Sequence, residues 1–210
     1  MARKYELRRR AERQAETRRR IVDAAIDLHT TVGPARTTLS AIAARAGVQR
    51  HTLYAHFPTE DDIFRACSGD YMERNAPPDP ERWREIADPW ERLGAALEQL
   101  YGWYAANEGM IGNVVRDREV HELTRRTAER HMGAWGASVW EALTEGLPPD
   151  GASLALLALA LEFGSWRSLA GSGLSPAEAG RLMASAIRCA QATAPAPPPA
   201  PGRRPSVSRP

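Results

Sequence analysis

The chain has 210 residues, 43% of them apolar, enough for a sizeable core in one large or two small domains. Net charge is only +2, but residues 1–58 hold twelve Arg or Lys against five acids, 194–210 adds three arginines, and 59–193 is left at −8. A basic head on an acidic body separates a part suited to a polyanion from a part suited to something else, and two distant cysteines exclude a disulfide framework.

Residues 1–10 are charged and read as a basic N-terminal arm. From about Arg10 to Val32, Ile21, Val22, Ala25, Ile26 and Leu28 recur at helical spacing. Gly33-Pro34 stops that helix. Thr38 is placed to cap a short helix reaching Ala46, and Gly47 turns the chain. Gln49 or Arg50 opens a third helix that ends at Phe57-Pro58. Thr59 caps a fourth, with acids in its first turn and Asp62 three residues after the cap.

Ala76-Pro77-Pro78-Asp79-Pro80 breaks the fourth helix, and a short turn around Trp83 follows. Asp88-Pro89 starts a helix to about Asn107. Further helices are predicted near Met110–Arg116, over 120–145, over 151–170 and from Ser175-Pro176-Ala177-Glu178 to about Thr193. Gly146 and Pro148-Pro149 end the long helix before 151. Residues 194–210, rich in Pro and Ala, read as a disordered tail. No strand pattern and no internal repeat appears. The fold class is all-α, about nine helices, divided into an arm (1–10), a helix-turn-helix domain (11–58), a larger helical domain (59–193) and the tail.

Residues 38–58 carry the chemistry. Ile42, Ala43, Val48, Leu53 and Phe57 are suited to hold two short helices rigidly on the first. Gln49, Arg50, His51, Thr52, Tyr54 and His56 then line the second of the pair, the position that enters a major groove. Arg50 is suited to guanine O6 and N7, and Thr52 to a thymine methyl or a phosphate. Tyr54 and His56 suit backbone phosphates, as do Thr37 and Thr38 at the start of the preceding helix. Each has a plainer reading: Tyr54 as packing, His56 as a helix end, His51 as a solvated residue. Arg8–Arg10 and Arg18–Arg20 are either a solvated face or a DNA phosphate or minor-groove contact.

Ile42-Ala43, Ala46-Gly47-Val48 and Thr52-Leu53-Tyr54-Ala55-His56-Phe57 together resemble the signature of TetR-family transcriptional regulators, over about Ile21–Phe64. Several residues at fixed offsets make this far more specific than a generic helix-turn-helix. The resemblance implies a three-helix DNA-binding domain, a larger helical ligand-binding domain and a homodimer on a palindromic operator. The chain departs from the pattern at Gln49, where the family usually has Ser, and at His51, where a small residue is usual. Glu60 stands where the family often has Lys, so no phosphate contact is carried over there.

In the body, Trp103, Tyr104, Asn107, Thr127, His131, Trp135, Phe163 and Trp166 fall on three helices as aromatics with a few polar tips, and Met110 joins them. Small-molecule pockets have that composition, and so do ordinary cores. The 151–170 segment is apolar all round and needs cover on every side. With the last helix it is read as a dimer seam, through Leu161, Ser165, Ser168, Leu182 and Ala186; a buried monomer core is the alternative. His121 and His131 lack a metal-ligand constellation, and no nucleophile–base pair or phosphate-cradling Gly loop stands out.

The expectation is therefore a cytoplasmic, non-enzymatic regulator without cofactor or metal. Its partners would be double-stranded palindromic operator DNA, a hydrophobic or aromatic effector and a second copy of itself, with no membrane. Repression relieved by the effector is favoured over activation. The rivals are a ligand-independent architectural DNA-binding protein and an enzyme fused to a DNA-binding head.

Overall fold

Capping side chains and positive-φ glycines divide this chain into its elements. The computed structural model describes residues 2–147 and 150–193; the Pro148-Pro149 stop signal and the 194–210 tail lie outside the described residues. Within them are eleven α-helices, one 3-10 turn and no strand. The first four are α1 (Ala2–Thr31), α2 (Leu39–Arg45), α3 (Arg50–His56) and α4 (Glu60–Arg74). The remainder are α5 (Pro80–Arg84), α6 (Pro89–Ala106), α7 (Glu108–Asp117), α8 (Glu122–Thr144), α9 (Gly151–Leu161), α10 (Phe163–Gly171) and α11 (Pro176–Thr193).

Thr38 caps α2 by accepting from the Ala41 N–H. Thr59 and Asp62 close a reciprocal capping box at α4, with bonds of 3.0 and 3.2 Å. Asp88 caps α6 at the Trp90 and Glu91 amides, with Pro89 in the first turn. Ser175 and Glu178 make the equivalent exchange ahead of α11. Gly33 (φ 103°) and Gly47 (φ 65°) take backbone conformations that side chains resist. At Gly33 a Cβ would also collide with Arg116 and Asp117.

Two features depart from the sequence reading. First, α1 is continuous from Ala2, so residues 2–10 of the expected arm are helical. Ile21 is the first buried residue of α1 among those described; from 5 to 20 every side chain is exposed except half-buried Thr17. Second, the single helix expected over 151–170 is broken at Glu162, whose ψ is 132°. The break frees the Ala160 and Leu161 carbonyls, and the Tyr101 and Tyr104 hydroxyls donate to them at 2.8 and 2.7 Å. Burial raises both phenol pKa values, so neither ionises at neutral pH. That break, together with the short α5, raises the helix count above the expected nine.

The described residues form two cores. Ile21, Val22, Ala25, Ile42, Ala43, Leu53, Phe57, Ile63 and Phe64 join α1–α4. Leu93, Leu97, Leu100, Tyr101, Val139, Leu157, Trp166 and Ile187 join α6 and α8–α11. Helix α11 approaches α6 closely at Gly180, where a Cβ would lie 2.8 Å from the Glu98 backbone nitrogen. Only a glycine admits that contact without displacement.

Candidate nucleic-acid interface and effector cavity

Leu53 and Phe57 are buried in the first core, which fixes the face that α3 turns to solvent. On that face Gln49, Arg50, His51 and Tyr54 are exposed, while Thr52 and His56 are half-buried beside them. Gln49 stands at the N-cap of α3, and its side chain takes no capping bond. The Arg50 guanidinium lies 5.7 Å from the Tyr54 ring centroid and donates to its hydroxyl at 3.3 Å. The two side chains are therefore one positioned unit.

Thr38 accepts from an amide and keeps its hydroxyl proton for a donor role. Thr37 is different. Its hydroxyl donates to Gly33 O at 2.8 Å and its amide to Pro34 O at 3.1 Å, so both donors are spent inside the α1–α2 turn. Arg18 of α1 stacks 4.8 Å over Phe57. Arg45 is paired with Asp27, and Arg74 with Asp23 at 2.8 Å, which mutes part of the basic surface.

Behind this head lies a cavity of about 690 Å³, lined from α1, α4, α6, α7, α8 and the α9–α10 junction. Trp103, Tyr104, Met110, Thr127, His131, Trp135 and Phe163 all line it. Trp166 and Asn107 do not. Trp166 is buried behind Phe163, centroids 5.3 Å apart. Asn107 is buried as a brace, accepting from the Tyr71 hydroxyl at 2.6 Å and donating to Trp103 O at 2.9 Å. The indole N–H groups of Trp103 and Trp135 are bonded to Asn75 O (3.0 Å) and Pro78 O (2.8 Å), which holds both rings in place. Their centroids lie 5.9 Å apart.

Sequence reasoning missed His29, Phe64, Cys67, Tyr71, Ile111, Val114 and Val115 in this wall. His29 carried the one usable signal, a histidine among apolar residues of α1, but its place in the last helical turn offers a simpler explanation. It is 4% exposed, and its Nδ1 faces the Cys67 sulfur at 3.6 Å. Burial, reinforced by the charge of His121, pushes its pKa down to about 4, against a smaller opposing pull from Asp117. The same burial pushes the Cys67 thiol up to about 12, so it is not a nucleophile. His131 bonds the Ser68 hydroxyl at 3.0 Å, and burial lowers its pKa too.

One helix belongs to both regions. α7 turns Met110, Ile111, Val114 and Val115 to the cavity. From its other side Asn113 donates to His29 O (3.0 Å) and Thr30 O (2.7 Å), and Arg116 donates to Val32 O (3.0 Å). Asp117, 2% exposed, accepts from the Ala35 amide at 2.9 Å and from Arg116 at 2.7 Å. Burial alone would raise the Asp117 pKa, but these bonds and the nearby Arg36 outweigh it and hold the carboxyl below its ordinary value. The cavity wall is thus bonded to the turn that leads into α2.

Of the residues read as a dimer seam, Leu182 is half exposed, Ser168 is exposed, and Ser165 and Ala186 are half-buried. Leu161 instead turns to the cavity. Leu159 of α9, 53% exposed, adds to the outer apolar surface. Among the described residues no three His, Cys, Asp or Glu side chains are grouped to hold a metal, and no helix is long and apolar enough to cross a membrane.

The model of bacterial regulatory proteins of the tetR family matches residues 21–67, the segment that builds the first core and α3. The chain belongs to the TetR family of transcriptional regulators. Relatives of this regulator include an HTH-type transcriptional regulator of Mycobacterium tuberculosis, 27% identical over 132 residues, which are 62% of this chain and 68% of that one. SrpR of Pseudomonas putida, also an HTH-type transcriptional regulator, is 39% identical over 59 residues, 28% of each chain.

Among solved structures, NalD, the secondary repressor of the MexAB-OprM multidrug efflux pump in Pseudomonas aeruginosa, superposes with a TM-score of 0.57 at 23% identity. The match covers 85% of this regulator and 97% of NalD. A TetR-like transcriptional regulator from Rhodococcus sp. RHA1 gives 0.58 at 20% identity, over 85% and 97% of the two chains. At these identities the likeness establishes the fold.

Proposed function

We propose that this regulator is a homodimeric repressor that leaves a palindromic operator when a hydrophobic or aromatic small molecule fills the cavity. The observation that carries the reading is the double role of α7, apolar toward the cavity and hydrogen-bonded to the α1–α2 turn. A ligand that repositions Val114 or Met110 strains the bonds from Asn113, Arg116 and Asp117, and so biases the orientation of α2 and α3. Release requires only that the ligand prefer the conformation in which the two heads do not fit the DNA.

On the DNA, Arg50 and His51 read base edges, while Thr38, Tyr54 and His56 hold phosphates. The basic outer half of α1 adds electrostatic contact. Two such heads would enter successive major grooves about 34 Å apart. The outer apolar surface around Leu159 and Leu182 supports the α9–α11 region as the dimer seam. The test is a footprint of the full chain on the DNA upstream of its own gene, with and without compounds that raise its melting temperature. Protection of a two-fold symmetric site, lost on adding such a compound, is the expected result. A site protected equally with and without every stabilising compound would contradict it.

A further inference from the structure

Two residues that line the cavity each carry a buried polar atom without a hydrogen-bond partner: Thr127 Oγ1 and His29 Nε2. Their residues are only 8% and 4% exposed. A buried polar group left unpaired is costly, so two of them on residues of one cavity are groups that a guest can satisfy. They come from different parts of the molecule, Thr127 from α8 of the body and His29 from α1 of the DNA-binding head.

The chemistry of each can be assigned. The Cys67 thiol donates to Phe64 O at 3.4 Å, so its sulfur is left to accept from His29 Nδ1–H at 3.6 Å. In that tautomer His29 Nε2 is an acceptor. The Thr127 hydroxyl is free to donate. A guest hydroxyl can give its proton to His29 Nε2 or accept from Thr127 Oγ1. The walls set the rest of the guest: Trp103, Trp135, Tyr104 and Phe163 offer ring faces and edges suited to a flat aromatic body.

Charge argues against an anion. The lining arginines are already paired, Arg125 with Glu122 and Glu129 at 2.6 and 2.8 Å and Arg118 with Glu119 at 3.4 Å, while Glu162 adds an acid. We propose that the cavity binds a neutral, flat aromatic alcohol whose hydroxyl bridges Thr127 and His29, so that the effector itself touches the DNA-binding head. The proposal rests on the cavity being the effector site and deepens that reading.

Calorimetric titration of the full chain with 2-naphthol and its isostere 2-methylnaphthalene tests it, with 2-naphthoate and (2-naphthylmethyl)ammonium as charged controls. The alcohol should bind about tenfold tighter than the methyl compound, and both charged probes should bind more weakly than the alcohol. Thr127→Val, close to isosteric, should abolish most of that preference and leave 2-methylnaphthalene affinity unchanged. His29→Leu, checked for an intact melting transition, should do the same. Equal binding of alcohol and methyl compound, or a preference untouched by Thr127→Val, overturns the bridging hydroxyl while the cavity stands. Tighter binding of either charged probe overturns the neutral guest. Binding of none of the four overturns the cavity reading and the proposal with it.

Discussion

Asp117 reaches from the end of α7 to accept a hydrogen bond from the Ala35 backbone amide, 2.9 Å away and 82 residues earlier in the chain. Arg116 braces the same carboxylate at 2.7 Å. Gly33 leaves room for both side chains, since any Cβ there would occupy their space. Through this bond the wall of a cavity and the entry to the recognition unit share one buried charge.

Removing that carboxylate should therefore affect stability and DNA binding together. Asp117→Ala leaves the Ala35 amide and the Arg116 guanidinium without their acceptor, and should cost about 2 kcal/mol in urea unfolding. Asp117→Asn keeps an acceptor for Ala35 and should recover part of the loss. Operator affinity is expected to fall more in the Ala variant than in the Asn variant. Equal stability of Ala variant and parent would remove the bond from the account.

Stability should also depend on pH through His29. Its folded pKa, about 4, lies below the unfolded value of 6.5, so the unfolded chain takes up the proton first as pH falls. The contribution is complete above pH 6.5 and is lost progressively down to about 4. Between pH 7.5 and 5 this amounts to about 2 kcal/mol. His29→Leu should flatten that part of the profile in thermal melts. Asp117 acts in a lower window: its carboxyl is held below the ordinary range, so its contribution persists until pH drops below about 4.

The contact of α11 with α6 has no slack at Gly180. Gly180→Ala should destabilise by about 1–3 kcal/mol, because the obstructing atoms are backbone rather than a movable side chain. Gly173→Ala meets no atom but strains a backbone at φ 87°, and serves as the comparison. Urea midpoints of the two variants separate collision from conformational strain.

Much of the fold was legible because its punctuation is local. Thr38, Thr59, Asp88 and Ser175 each cap a helix from within three residues of it. Gly33 and Gly47 mark turns by their own backbone freedom. The break at Glu162 was not legible, since Tyr101 and Tyr104, which bond the carbonyls it frees, lie about sixty residues earlier. In the cavity, helical spacing picked out six side chains of the lining, Trp103, Tyr104, Thr127, His131, Trp135 and Phe163. It could not separate Phe163 from Trp166 behind it, nor show that Asn107 is tied to Tyr71. Asp117 and His29 act through partners distant in sequence; nothing within its own helix announces Asp117, and the histidine among apolar residues of α1 has a simpler reading at a helix end.

On the DNA side, Arg50→Ala should lose about 1–3 kcal/mol on the specific operator and little on random DNA if Arg50 reads a guanine. Tyr54→Phe removes the hydroxyl that Arg50 bonds and should weaken both. Deleting residues 2–13 removes Arg3, Lys4, Arg8, Arg9, Arg10 and Arg13 but none of the first core. The salt dependence of binding should then flatten, by about 0.9 in log–log slope for each phosphate that is no longer neutralised. An unchanged slope would make the outer half of α1 a solvated helix.

The proposed coupling of cavity and operator through α7 must be reciprocal, as any coupling between two binding sites is. The most direct measurement is the affinity of one cavity ligand for the regulator free and bound to its operator, by calorimetry, in parent and Asp117→Asn. Ligand binding to the operator complex should be at least about tenfold weaker, with the difference reduced in the variant. Equal ligand affinity in the free and DNA-bound parent protein would contradict it.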